Sequence, residues 1–492
     1  MRYNHALPIV SAVVSSAQTP DRYADSTTVD LSWHRPAASE INDLESAING
    51  TGTYGFIFNS SSLPDRVPYG TYNWCNMPHA RSQEYPIVNS SFELQYVEVI
   101  HRHHKRTPYA SNTFPRENYP WFCDDEGLFY YGAPLPSGSA NRSAAGYWSV
   151  YTSDSNPLAP AGFNGTCQFP QITRGGLDDS HQHGKDLFDV YGDLLGFIPS
   201  KYDPELVSFR VTNNVITSKV AGMVIAGMYP DNAGADVKLS IQPDSVDSLE
   251  PAYICTTAKS LFSFFASGST NGTWAHHLQA SASLYSALDR VSGVSPGTSA
   301  WHVSWDHYFD NLSARLCHSK PLPCNTEDGH QCVGMAQAEE VFRLGEWEYS
   351  YTYRDNPNSL RASVASYGIY IAELAQNIRH AIDPTQPSSV SANDTVKYRH
   401  NVAHDGSISR LLSILQVDKM FWPGMGSEVI FELYKQKTTS EYFVRVLWGG
   451  QILKSSHPAF GEMNMVPPQT LLAYFDGLVG VGADKIPGLC GE

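Results

Sequence analysis

The chain has 492 residues and carries 33 basic against 49 acidic side chains, a formal charge of −16 with histidine neutral. An acidic surface of this kind argues against nucleic acid or an anionic membrane as a partner, and it makes any local cluster of cations stand out. The length suits two or three domains, or one α/β domain with a long insertion.

Met1 to Ala17 carry one early arginine, a modest apolar run from Leu7 to Val14 and small residues at Ser15-Ser16-Ala17. That outline suits a weak secretory leader and an ordinary N-terminus equally well. No other stretch approaches the roughly 18 uninterrupted apolar residues of a membrane span. Residues 18–92 are rich in Ser, Asn, Gly and Tyr with little helical period, so residues 1–92 are expected to be an irregular segment wrapped on the main body.

From Glu93 to His101 apolar and polar residues alternate and end in Val99-Ile100, which predicts a strand. The chain then turns basic in Arg102-His103-His104-Lys105-Arg106-Thr107-Pro108. Ligands of open α/β sheets bind at the C-terminal ends of strands, and a guanidinium offers phosphate oxygens a planar fork of donors. An imidazole held between two such forks is placed to attack phosphorus. The following Pro/Gly/aromatic run, Tyr119 to Phe122 and Tyr130 to Gly132, predicts loops that overhang the pocket.

Leu177, Leu187, Val190, Leu194 and Leu195 predict a helix leading to a strand over Pro204–Thr212, which carries Arg210, and to a second helix from Thr217. No metal site is expected. His181 and His183 could be grouped with His101, His103 and His104, but a helical pair two apart does not share a face, and no tight carboxylate cluster accompanies them.

The longest helical patterns fall within residues 235–390. Over Ser363–Ile378, Val364, Tyr367, Ile371, Leu374 and Ile378 recur at steps of three and four, one face of a helix. Val396 to Ala403 then predicts a strand with His404-Asp405 at its end and a helix after it, and two further strands follow over Ser427–Tyr434 and Tyr442–Trp448.

Arg102-His103-x-x-Arg106-x-Pro108 resembles the signature of the histidine acid phosphatases, Arg-His-Gly-x-Arg-x-Pro, with His104 where the family has glycine. The Arg210 strand and His404-Asp405 look like two more family blocks, in the family's order. The resemblance implies an α/β fold, a central mixed sheet flanked by helices (93–234 and 391–492) with a smaller helical cap (235–390). It implies a phosphomonoesterase with no cofactor, acting on a small-molecule phosphate ester. His103 would be the nucleophile and Asp405 the proton donor, with Arg102, Arg106, Arg210 and His404 binding the phosphoryl oxygens. An acid optimum would suit Asp405. His104 would narrow the pocket or add a donor, and Lys105 would add basic character of the sort a phytase needs. A phytase, or a phosphate-binding protein disabled by His104, are the alternatives.

Eight cysteines with no Cys-x-x-Cys point to as many as four disulfides, and Cys317, Cys324 and Cys332 lie near enough for two of them to close a local loop. Asn-x-Ser/Thr triplets at Asn49, Asn59, Asn89, Asn141, Asn164, Asn271, Asn311 and Asn393 suggest glycosylated loops and a secreted protein.

Overall fold

The computed structural model describes residues 29–55, 67–116, 120–123, 130–131, 146–147, 150–151, 155–156, 165–232, 236–270, 272–391 and 394–491. The suggested leader therefore lies outside the described residues, as does most of the expected overhanging loop. What is described of that loop is anchored: Trp121 is buried against Phe169 beside the Cys123–Cys167 disulfide.

The fold is built on a mixed sheet of seven strands: β1 (Phe92–Arg102), β2 (Val207–Val211), β3 (Leu239–Ser240), β4 (Tyr398–Ala403), β5 (Glu428–Gln436), β6 (Tyr442–Trp448) and β7 (Gln451–Ile452). Their spatial order is β3-β2-β4-β1-β5-β6-β7. β4 runs parallel to both β1 and β2, whereas β5 to β7 continue from β1 as an antiparallel meander. Helices cover both faces, so the central strands are buried over most of their length, β4 at every position; Val97, Val99 and Ile100 are fully buried.

One face packs on α1 (Arg174–Phe188) and α2 (Val215–Met228), which meet Val97, Val99, Phe209 and Val211. A separate core joins α3 (Asp306–Cys317) and α4 (Met335–Ser350) to Tyr72, Trp74, Trp305 and Trp422. The other face packs on α5 (Ser359–Ile382), α6 (Asp405–Ile414) and α7 (Pro468–Val479). The predicted stripe of α5, Val364 to Ile378, is at most 4 % exposed, and it faces the sheet. The stretch 235–390 contributes to both cores: most of its helices up to Ser350 share the aromatic core, whereas Ala258 and most of α5 pack with the sheet.

All eight cysteines pair, as Cys75–Cys317, Cys123–Cys167, Cys255–Cys490 and Cys324–Cys332. The last is the local loop expected from spacing; the first and third join segments 242 and 235 residues apart. Asn311 does not fit the expectation of an exposed glycan site. It is buried on α3, where its amide donates to the Asn112 carbonyl and accepts from Arg315. No described helix is long and apolar enough to cross a membrane.

Candidate active site

The parallel register of β1 and β4 sets Arg102 opposite Ala403. The next residues, His103 and His404, therefore leave the sheet side by side, with ring centroids 5.3 Å apart. The His103 amide donates to the Ala403 carbonyl, and the Gly426 amide donates to the His103 carbonyl, so the loop is tied on both sides. His103 Nδ1 lies 3.0 Å from the His104 carbonyl oxygen. An oxygen acceptor there requires Nδ1 to carry the proton, which leaves Nε2 with the lone pair. Burial, then Arg102, Arg106 and His404, push the His103 imidazole well below its ordinary pKa, which favours its neutral form.

Arg102 is 1 % exposed. Its Nη2 lies 3.1 Å from Asp405 Oδ2, Nη1 donates to the Pro423 carbonyl, and the guanidinium stacks 4.7 Å over Trp74. Arg106 is fixed by Asp310, whose Oδ1 accepts from Nη1 at 2.9 Å. The other oxygen of Asp310 accepts from the Tyr109 amide and the Asn112 side chain, so a single carboxylate on α3 holds the whole turn after the motif.

Asp405 is the first residue of α6, where the helix N-terminus favours a carboxylate. Its Oδ2 also accepts from the Trp422 indole at 2.8 Å. Burial alone would raise this carboxyl, but Arg102, the indole, Arg106 and His404 outweigh it and hold Asp405 below the usual carboxylate range. His404 Nε2 lies 3.0 Å from Thr212 Oγ1 and 2.8 Å from Glu250 Oε2.

Three residues expected to contact phosphate have other partners in the structure. His104 turns away from His103 into the core on the α1 side, fully buried, with Nε2 3.1 Å from His183 Nδ1. Lys105 is 4 % exposed and pairs with Asp179 of α1 at 2.9 Å. Arg210 donates to Glu373, Gln242, Asp247 and Ser248, which uses its donors on neutralising and fixing partners. Its strand neighbours Val207, Phe209 and Val211 face α1 and α2, so Arg210 faces α5.

A cavity of about 520 Å³ opens at this end of the sheet, walled by Thr212, Asn214, His404, Asp405 and Arg410 among others. His103, Arg102 and Arg106 are not part of its wall; they sit behind His404 and Asp405, 1 to 3 % exposed. Motif reading missed Arg410, Asp310 and Trp422. Arg410 lies four residues beyond Gly406 on α6, and that helical spacing was the available signal; Asp310 and Trp422 have no local one.

A fold and a His-Arg-Asp site of this form define a phosphate-ester hydrolase of the histidine type. The sequence profile of the histidine phosphatase superfamily (branch 2) matches residues 93–448, and the chain belongs to that family. It is similar to counting factor 60 of Dictyostelium discoideum, 22 % identical over 74 % of this chain and 82 % of the relative. It is likewise similar to lysophosphatidic acid phosphatase type 6 of Bos taurus, 22 % identical over 76 % of this chain and 81 % of the relative. Among solved structures, Hafnia alvei phytase in complex with myo-inositol hexakis sulphate shares the fold, with a TM-score of 0.53 and 14 % identity over 80 % of this chain and 99 % of that one. The protein is a phosphoric monoester hydrolase of the acid phosphatase and phytase family.

Proposed function

We propose that the chain hydrolyses phosphate monoesters through a phosphohistidine at His103 Nε2, with an acid optimum, in an oxidising extracellular compartment. The observation that carries this reading is the His103 imidazole, its Nδ1 3.0 Å from the His104 carbonyl oxygen and so its Nε2 left as the lone pair, set beside the Arg102–Asp405 pair. The Nε2 lone pair attacks phosphorus as the ester P–O bond breaks, and Asp405 gives its proton to the departing alkoxide. Asp405 then accepts a proton from water, whose oxygen attacks the phosphohistidine; inorganic phosphate leaves and Nε2 regains its lone pair.

Asp405 must carry a proton for the first step, yet in the free protein Arg102 keeps it ionised. Phosphate supplies the remedy. When Arg102 turns its donors to the phosphoryl oxygens, Asp405 loses its cation and gains an anionic neighbour, and both changes raise its pKa. Acid conditions complete the protonation. Four disulfides, and no described helix able to cross a membrane, support secretion.

The cavity wall bears on substrate. Asp244, Asp247, Glu250 and Asp405 line it against Arg410, a poor match for a polyphosphorylated ring and hence for a phytase. A neighbouring cavity of about 820 Å³, reached at Pro251 and Arg410, is lined by Tyr253, Phe262, Trp274, Val303 and Tyr353. A monoester with one phosphate and an apolar tail suits this pair of cavities, and the Bos taurus relative is named for such an ester. The His104 ring facing the core weighs against a disabled, merely phosphate-binding protein.

The test is acid-quenched labelling with a radioactive phosphate ester, beside phosphate release across pH 3 to 8. Wild type should trap a base-stable, acid-labile phosphoenzyme that His103→Ala lacks. Turnover persisting in His103→Ala would overturn the assignment.

A further inference from the structure

Behind the phosphate loop, on the α1 side of β1, lies a second histidine cluster with no part in the proposed chemistry. His101 is on β1, His104 follows it in the loop, and His183 comes from α1; all three are fully buried. One ring nitrogen from each lies within 4.8 Å of the other two. His104 Nε2 and His183 Nδ1 are 3.1 Å apart, and His101 Nε2 is buried with no hydrogen-bond partner. His181, the other histidine of that helix segment, is exposed and takes no part.

The outer ring nitrogens decide what the inner ones present. His183 Nε2 lies 2.9 Å from Glu428 Oε2, which fixes the proton on Nε2 and leaves Nδ1 as a lone pair aimed at His104. His101 Nδ1 lies 3.1 Å from His400 Nε2, and His400 Nδ1 lies 3.3 Å from the Tyr398 hydroxyl. That chain is consistent when His101 donates to His400 and His400 donates to the tyrosine, so His101 Nε2 is a lone pair as well. His104 Nδ1 is buried without a partner. If it holds that ring's proton, His104 Nε2 becomes a third lone pair converging on the other two.

We propose that His101, His104 and His183 form a buried site for a borderline divalent cation of the Zn2+ type, which braces the phosphate loop from behind. Zinc bound by imidazoles at about 2.0–2.1 Å separates tetrahedral ligand atoms by roughly 3.3 Å. The His104–His183 spacing of 3.1 Å already matches this, and the third nitrogen, within 4.8 Å of both, must close by up to about 1.5 Å. Glu428 behind His183 and His400 behind His101 supply the outer hydrogen bonds that orient metal-binding imidazoles. The carboxylates of Glu428 and Asp186, the latter 2.8 Å from His79, which stacks on His183, offset the charge of the ion. The cation would tie β1, the loop carrying His103 and α1 together, and would account for an imidazole where the family signature has glycine.

The test uses the full-length protein. After dialysis, elemental analysis should find about one divalent transition ion per chain. Stripping with a strong chelator should lower the melting temperature by about 5 °C, and Zn2+ should restore it. Co2+ added to the stripped protein should give the intense visible absorption of a tetrahedral ion. His104→Ala and His183→Ala should lose the ion, and His181→Ala should keep it. Should the ligand variants fail to fold, the Co2+ spectrum and the Zn2+ melting shift of wild type decide the matter alone. Wild type with neither spectrum nor shift would overturn the site, as would an ion retained by folded His104→Ala and His183→Ala. Because the readouts are metal content, spectrum and melting, they are independent of whether His103 is the nucleophile.

Discussion

Replacing Asp405 with asparagine separates its service as proton donor from its service as partner to Arg102. Asparagine keeps the volume and an oxygen that can accept from the Trp422 indole and from Arg102, whose contacts with Asp405 are 2.8 and 3.1 Å. It removes the proton. General acid catalysis contributes about 10²- to 10⁴-fold, equivalent to about 3 to 5 kcal/mol of barrier, when the leaving group is a poor one. An alkyl phosphate, whose alkoxide must be protonated, should therefore lose roughly that factor in kcat. A nitrophenyl phosphate, whose phenolate leaves unaided, should lose far less in the phosphorylation step.

The assay is rapid-quench measurement of the first turnover with both esters, for wild type and Asp405→Asn. Removal of the charge also leaves buried Arg102 less well compensated. With Asp405 still 22 % exposed, that costs about 1 to 3 kcal/mol of stability, so both proteins are compared well below their melting points. A loss that is equal for the two leaving groups would refute the proton-donor role and leave Asp405 as a positioning residue for Arg102.

Arg210→Met should leave the inhibition constant of inorganic phosphate within about twofold while lowering stability by roughly 1 to 3 kcal/mol, because Glu373 and Asp247 lose their cation; a tenfold weaker inhibition constant at unchanged melting temperature would put Arg210 back in the phosphate site. Burial pushes Glu346 up to about 8 against the opposing Tyr72 hydroxyl, Trp422 amide and Arg102. A folded pKa above the unfolded one means the contribution is fully present below pH 4.5 and is lost as pH rises through 8, on the order of 5 kcal/mol at most. Denaturant unfolding should accordingly show wild type weakening from pH 5 to 9 more than Glu346→Gln, and parallel curves would contradict it. For n-alkyl phosphates, kcat/KM should climb about threefold or more per added methylene until the apolar cavity fills, and Phe262→Asp should flatten that climb; a flat wild-type series would exclude the tail site.

What sequence made legible was whatever depends on near neighbours. Strand alternation into Arg102, the α5 stripe and the order of the three blocks all appear in the fold, because each follows from local period and chain direction. Misplacement came where a side chain's destination depends on distant residues. The resemblance implies that Arg210 binds phosphate, yet in the structure it pairs with Glu373, 163 residues away. The pattern did hold the warning, since Val207, Phe209 and Val211 mark one buried face and Arg210 must occupy the other. Lys105 is similar, because Asp179 gives no sign in sequence of lying beneath it. His104 is the instructive position. As a departure from the glycine of the signature it is expected to narrow the pocket, but its ring turns to His183 on the α1 side. The substitution is matched by His101, His183 and Glu428, three residues spread over the chain that fold to one place. An apparent defect in a catalytic motif is thus better understood as part of a second constellation that shares its backbone.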